Sequence, residues 1–265
     1  MTSFAGKAVL ISGASEGIGR ALALMLAAER PRLALNARNA ARLEETSSEC
    51  RALGAEVLTV PADVSQREAC TQLVAHAVER FGRLDALVNN AGITMWSRFD
   101  AVSDFGMFER LLAVNYLGAV YLTAAALPHL KHSRGLIVAV ASLAGLTGIP
   151  ERTGYAASKH ALVGFFESLR IELRGSGVDV TLVAPDFVLS EAHRRAAGSG
   201  CSSLPPAAAS CAGRASSCLS AWMPSRRARS ASAAEPHSKA IAGRSSATRK
   251  YSNRYLRKRI WLCSR

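Results

Sequence analysis

Two rhythms of apolar residues alternate along the first two-thirds of the chain. Short, mainly apolar runs fall within residues 8–12, 32–37, 56–60, 86–89, 136–141 and 178–184. Runs of this length without polar alternation suit strands covered on both faces. Between them, apolar residues recur every three or four positions. In 17–29 the stripe is Ile18, Ala21, Leu22, Met25 and Leu26, and in 66–81 it is Leu73, Val74 and Ala77. Similar stretches at 40–53, 104–131 and 155–174 complete five predicted helices. Strands that alternate with helices pair in parallel through right-handed crossovers. The predicted fold is therefore α/β, a doubly wound parallel sheet. In such a sheet a ligand lies beyond the carboxyl ends of the strands.

This pattern stops near Ser190. Residues 1–190 carry 18 Lys and Arg against 18 Asp and Glu, whereas residues 191–265 carry 15 against 2, which is the whole net charge of +13. The later segment has no Val, Phe or Asp and is rich in Ala, Ser and Arg. The chain is thus expected to divide into a globular part, 1–190, and an anomalous basic tail, 191–265, without the seventh strand and lid helices. Three readings of the tail stay open: an out-of-frame product of a GC-rich gene, a disordered basic segment, or an ordered new domain. A basic segment can touch nucleic acid or an anionic membrane surface by neutralising phosphate. The six cysteines are irregularly spaced, without a CxxC pair, and read as free thiols in a reducing compartment rather than a disulfide or metal framework. No apolar run approaches the ~20 residues that span a bilayer. The N-terminus does not read as a secretory signal, and the expected location is cytoplasmic.

Candidate chemistry sits just after the predicted strands. Gly13-Ala14-Ser15-Glu16-Gly17-Ile18-Gly19 follows the first strand and opens a helix, as pyrophosphate-binding loops do. Asn36-Ala37-Arg38 ends the second strand with no acid for a ribose 2′-hydroxyl, and Arg38 can pair with a 2′-phosphate. Glu16 argues mildly the other way. Asp63-Val64 follows the third strand, where Asp63 can meet an adenine amino group or serve as a helix cap. Asn89-Asn90-Ala91-Gly92 follows the fourth strand and Ser142 the fifth. Asn115 is an amide inside an apolar helix, which needs partners and can interrupt the helical ladder. Tyr155 and Lys159 stand one helical turn apart, so an ammonium lies beside a phenol and favours its ionised form.

Together these motifs resemble the short-chain dehydrogenase/reductase family from about residue 6 to 191. The resemblance implies a Rossmann-like fold and a catalytic tetrad of Asn115, Ser142, Tyr155 and Lys159. It also implies cofactor contacts from Gly13, Ser15, Gly17, Ile18, Gly19, Arg38, Asp63, Val64, Asn90, Ala91, Gly92, Tyr155, Lys159, Pro185, Val188 and Ser190. Asp186 stands where the family has a glycine. The implied reaction is hydride transfer between NADP(H), favoured over NAD(H), and a secondary alcohol or carbonyl of apolar character. In it Tyr155 carries the proton, Lys159 lowers its pKa, Ser142 polarises the substrate oxygen and Asn115 positions a water. A homodimer or homotetramer is also implied. The alternative is a non-catalytic NADP(H)-binding or regulatory protein that has lost its lid.

Overall fold

In the computed structural model, residues 3–186 and the short strand 260–262 are described. Six parallel strands run in the order β3-β2-β1-β4-β5-β6, with a three-residue seventh beyond β6. They are β1 (Ala8–Ser12), β2 (Arg32–Ala37), β3 (Glu56–Pro61), β4 (Ala86–Asn89), β5 (Leu136–Val140) and β6 (Asp179–Ala184). Helices α1 (Gly17–Ala27) and α2 (Ala40–Ala52) lie on one face. On the other lie α3 (Arg67–Phe81), α5 (Gly118–Ser133) and α6 (Thr153–Glu172). A seven-residue α4 (Gly106–Leu112) leads into α5 through a π turn, Ala113–Leu117.

The pleat explains why β1 has no polar alternation. Val9 and Ile11 face Leu22, Leu26 and Leu43 on one side, while Leu10 faces Leu73, Leu122 and Phe166 on the other. All three β1 residues are essentially free of solvent, and each such aliphatic side chain contributes about 1.5–3 kcal/mol by burial. Cys50 and Cys70 are free and buried, and burial pushes their thiols up to about 11 and about 12. They pack as small apolar groups.

The amino ends of the strands are fastened by one carboxylate. Asp85, before β4, accepts from the Ala8 N–H at 3.0 Å and from Arg83 Nε and Nη2 at 2.8 and 2.6 Å, with Lys7 at 3.5 Å. Its own N–H reaches the Ala8 carbonyl and its carbonyl receives the Leu136 N–H. Burial pushes the Asp85 carboxyl up, but Arg83, the Ala8 N–H and Lys7 outweigh burial and hold it below the usual carboxylate range.

Two expectations are corrected. The helical run Gly106–Ser133 is 28 residues long with a mean hydropathy of 1.5, long and apolar enough to cross a membrane by length and composition. Polar residues such as Asn115 and Thr123 interrupt it, so it shows in the average over the helix and not as an unbroken apolar run. Here the run is a layer helix, with Leu111, Leu122, Ala126 and Leu130 buried. The edge of β6 is also paired, by β7 (Ile260–Leu262) in parallel register from Leu182 to Ala184. Ile-Trp-Leu is too short to stand out as a strand in the sequence, yet three residues suffice to pair a short edge. The expected loss of the lid concerns residues outside the described ones, as does the rest of the tail.

Candidate active site

The turn after β1 is built for close approach. Gly13 and Gly17 hold φ of 68° and 57°, a region that favours glycine. A Cβ on Gly19 would lie 2.2 Å from the Gly13 carbonyl oxygen, so helix α1 starts in contact with the turn. Asn90 ties the end of β4 to this turn, its Nδ2 donating to the Ser12 and Gly13 carbonyls at 3.0 Å. The buried Ser12 hydroxyl accepts from the N–H groups of Asn90 and Ala91 and donates to the Val88 carbonyl. Ser12 was missed in the sequence because it reads as the last residue of an apolar strand. Ser15 and Ile18 sit in the same turn and first helical residues. Glu16, the N-cap of α1, makes no side-chain capping bond, and the first turn of α1 carries no acid. An anion fits the N–H groups of that turn.

At the end of β2, Arg38 is exposed and makes no ion pair among the described residues. Glu16 pairs with Arg42 at 2.9 Å, so its charge is compensated. Asn36 is 1% exposed, and its Nδ2 bridges the Val60 and Ala62 carbonyls, aiming the chain at Asp63. Asp63 is not the cap of α3, a position held by Gln66; it accepts instead from the Ser65 N–H. Val64 is buried against Gly118. The buried Oδ1 atoms of Asn36 and Asn89 have no partner among the described residues. Orphaned acceptors in a strand-end crevice suit a polar ligand.

Asn115 lies in the π turn, so the expected interruption of the ladder is present. It is 1% exposed. Its amide pairs with Ile93 as a backbone would, accepting at 2.7 Å and donating at 2.9 Å, and it also donates to Ser158 Oγ at 2.9 Å. Ser158 in turn donates to the Tyr155 carbonyl. Gly92 abuts both groups: a Cβ there would lie 3.3 Å from Asn115 Oδ1 and 3.7 Å from Lys159 Nζ.

Tyr155 and Lys159 share one face of α6, with Nζ 5.9 Å from the ring centroid. Lys159 donates to the Val140 carbonyl at 2.9 Å, and burial lowers its pKa to about 8. Burial pushes the Tyr155 hydroxyl up from its ordinary value; the Ser142 hydroxyl and the Arg152 guanidinium pull it down without cancelling that. Both cations beside the ring, Arg152 and Lys159, are themselves desolvated, and burial lowers the pKa of each. Ser142 caps the turn Leu143–Gly145, accepting from the Ala144 N–H at 3.2 Å, which leaves its O–H for the Tyr155 side. Neither Arg152 nor Ser158 was singled out in the sequence. A charge three residues before a tyrosine reads as a solvated helix start.

Of the remaining positions, Pro185 lies beside the Ser142 turn and accepts from the Leu143 N–H at 3.1 Å. Asp186 is exposed. Val188 and Ser190 lie outside the described residues. The structure thus brings the Gly13–Gly19 turn, the Asn90–Gly92 segment, Asn115, Ser142, Tyr155 and Lys159 to the carboxyl ends of β1, β4 and β5.

Residues 7–198 match the profile of the family described as short chain dehydrogenase. Among curated relatives, 11-beta-hydroxysteroid dehydrogenase 1A of Arabidopsis thaliana is 48% identical over 187 residues, covering 70% of this chain and 53% of that protein. 11-beta-hydroxysteroid dehydrogenase A of Sesamum indicum is 44% identical over 188 residues, covering 71% and 54%. The chain thus spans about half the length of these relatives. Among solved structures, a short chain dehydrogenase/reductase from Burkholderia phymatum in complex with NAD superposes with a TM-score of 0.70 at 34% identity, over 73% of this chain and 71% of that one. Levodione reductase gives 0.68 at 32% identity, over 71% and 74%.

Proposed function

The chain belongs to the short-chain dehydrogenase family, and on that premise we propose that it interconverts a secondary alcohol and a ketone with NADP(H). The observation that carries this reading is the meeting of Tyr155, Ser142 and Lys159 beside the glycine turn, at the ends of adjacent strands. When bound, the nicotinamide supplies the hydride acceptor or donor. The residues of the chain do the rest. Tyr155 gives a proton to the substrate oxygen or takes one from it. Ser142, its acceptor side occupied by the Ala144 N–H, directs its O–H to that oxygen and steadies the charge that develops there. Lys159 is held at the Val140 carbonyl and presents its remaining donors toward the Gly92 side. Asn115 fixes the Ile93 backbone and Ser158, and so holds the floor of the crevice.

Arg38 supports NADP(H) over NAD(H). It is exposed at the end of β2, and the Glu16–Arg42 pair removes the nearby charge that would oppose a 2′-phosphate. An apolar substrate is supported by the mouth of the site. Phe99 and Phe105 are 58% and 59% exposed and cluster with Phe108, which packs on Gly154 at the start of α6. The names of the plant relatives agree with a rigid polycyclic alcohol or ketone.

The test is Tyr155→Phe, assayed with NADPH and a panel of steroid and monocyclic ketones. Turnover is expected to fall by ~10²-fold or more, the usual worth of positioned acid–base catalysis. NADPH affinity, read by fluorescence, should change by less than about threefold, since only one hydroxyl is lost. A mutant that keeps most of its turnover would overturn the assignment.

A further inference from the structure

Arg152 is the N-cap residue of α6 and only 5% exposed. The chain reaches it through Glu151, which adopts a left-handed φ of 63°. That turn is zipped to the segment after β4. The Glu151 carboxylate accepts from the Trp96 indole N–H, and its carbonyl accepts from the Ser97 N–H at 2.9 Å. Arg152 Nη1 donates to Thr94 Oγ1 at 2.9 Å. The guanidinium carbon then lies 4.2 Å from the Trp96 ring centroid and 5.5 Å from that of Tyr155. A cation over aromatic faces is attracted by them. A guanidinium also stays charged at any working pH, whereas Lys159, brought to about 8, loses charge in the range where an alcohol is oxidised.

We propose that Arg152 is a positioning residue for proton transfer: its permanent charge, held over the Tyr155 ring by Trp96 and Thr94, stabilises the Tyr155 phenolate and lets that hydroxyl act as both acid and base. Arg152 acts beside Lys159 and does not replace it. Lys159 lies one turn along at 5.9 Å from the same ring. Glu151 is engaged with the Trp96 indole. The 143–145 turn offers the neutral Ser142 hydroxyl, the 94–97 segment offers Thr94 and Trp96, and α4 sets Phe108 against Gly154.

This inference rests on Tyr155 being the proton carrier, so its test reads the phenol without substrate or cofactor. The full chain, with its five tyrosines labelled at Cζ with carbon-13, is titrated by NMR, and Tyr155→Phe assigns the resonance. In Arg152→Gln the Tyr155 midpoint should move to higher pH by about half a unit or more, as removal of a unit charge at this range requires. Arg152→Lys should recover part of that. The Tyr116 and Tyr121 resonances report that the fold is kept. If Arg152→Gln does not fold, Thr94→Val loosens the guanidinium and should give a smaller upward shift. A Tyr155 midpoint unmoved in folded Arg152→Gln, or in folded Thr94→Val where the first fails, overturns the proposal. If the midpoint moves while the pH profile of kcat does not follow, the electrostatic coupling stands and the proton-carrier reading fails.

Discussion

Lys159 should cost the fold stability that its removal returns. Its ammonium is 4% exposed, and burial lowers its pKa from 10.5 to about 8. A depressed lysine is charged in the folded state at a cost that is fully present below the folded value. That cost disappears as pH rises through the unfolded value, because between the two the unfolded chain binds more protons and stability climbs with pH. At 1.36 kcal/mol per pH unit the gap corresponds to about 3 kcal/mol. The hydrogen bond to the Val140 carbonyl favours the charged form and is worth about 1.5–3 kcal/mol, which narrows the gap. Lys159→Met keeps the stem and drops the charge. At pH 7 it should therefore be more stable than the wild type by roughly 1–3 kcal/mol, and this advantage should fade between pH 8 and 10.5. Urea unfolding of the two full chains at several pH values measures it, and the difference between them cancels the other titrating groups. A wild type that is the more stable at pH 7, or a difference that stays flat up to pH 10.5, would refute the reasoning. A charge kept against the interest of stability is a mark of function.

Asn115→Leu removes an amide that satisfies both backbone groups of Ile93 and meets Ser158. It should cost about 2–4 kcal/mol in urea unfolding, since buried partners are left unpaired. Arg38→Glu places a carboxylate where a 2′-phosphate would lie. The ratio of NADPH to NADH affinities, read by fluorescence titration, should shift toward NADH by about tenfold or more.

The strands were legible because β1, β2 and β4 are covered on both faces, and an unbroken apolar run has little else to be. Boundaries moved only at the ends, as where the helix expected at 155–174 runs from Thr153 to Glu172. The site was legible wherever one residue type must follow a strand, as with Gly13, Asn90 and Ser142. It was illegible where partnership is a matter of space. Ser12 and Asn36 look like strand residues, and only the sheet shows that each reaches across to a neighbouring strand end. Arg152 and Trp96 are 56 residues apart in sequence, and nothing local predicts that one stacks on the other. Helical spacing put Tyr155 and Lys159 together correctly. It could not show that burial would lower the pKa of the ammonium itself.

The Asp85 junction has a consequence for how such a chain can change. Asp85, through its carboxylate to Arg83, Lys7 and the Ala8 N–H and through its backbone carbonyl to the Leu136 N–H, clasps β1, β4 and β5 at the pole opposite the glycine turn. Its pull is strongest near neutrality and is released in acid, as pH falls through a carboxyl pKa held below the ordinary range. The loops at the far pole are therefore hinged to a fastening they do not touch. Substrate preference can be rewritten there, by evolution or by a protein engineer, while the clasp keeps the strands in register.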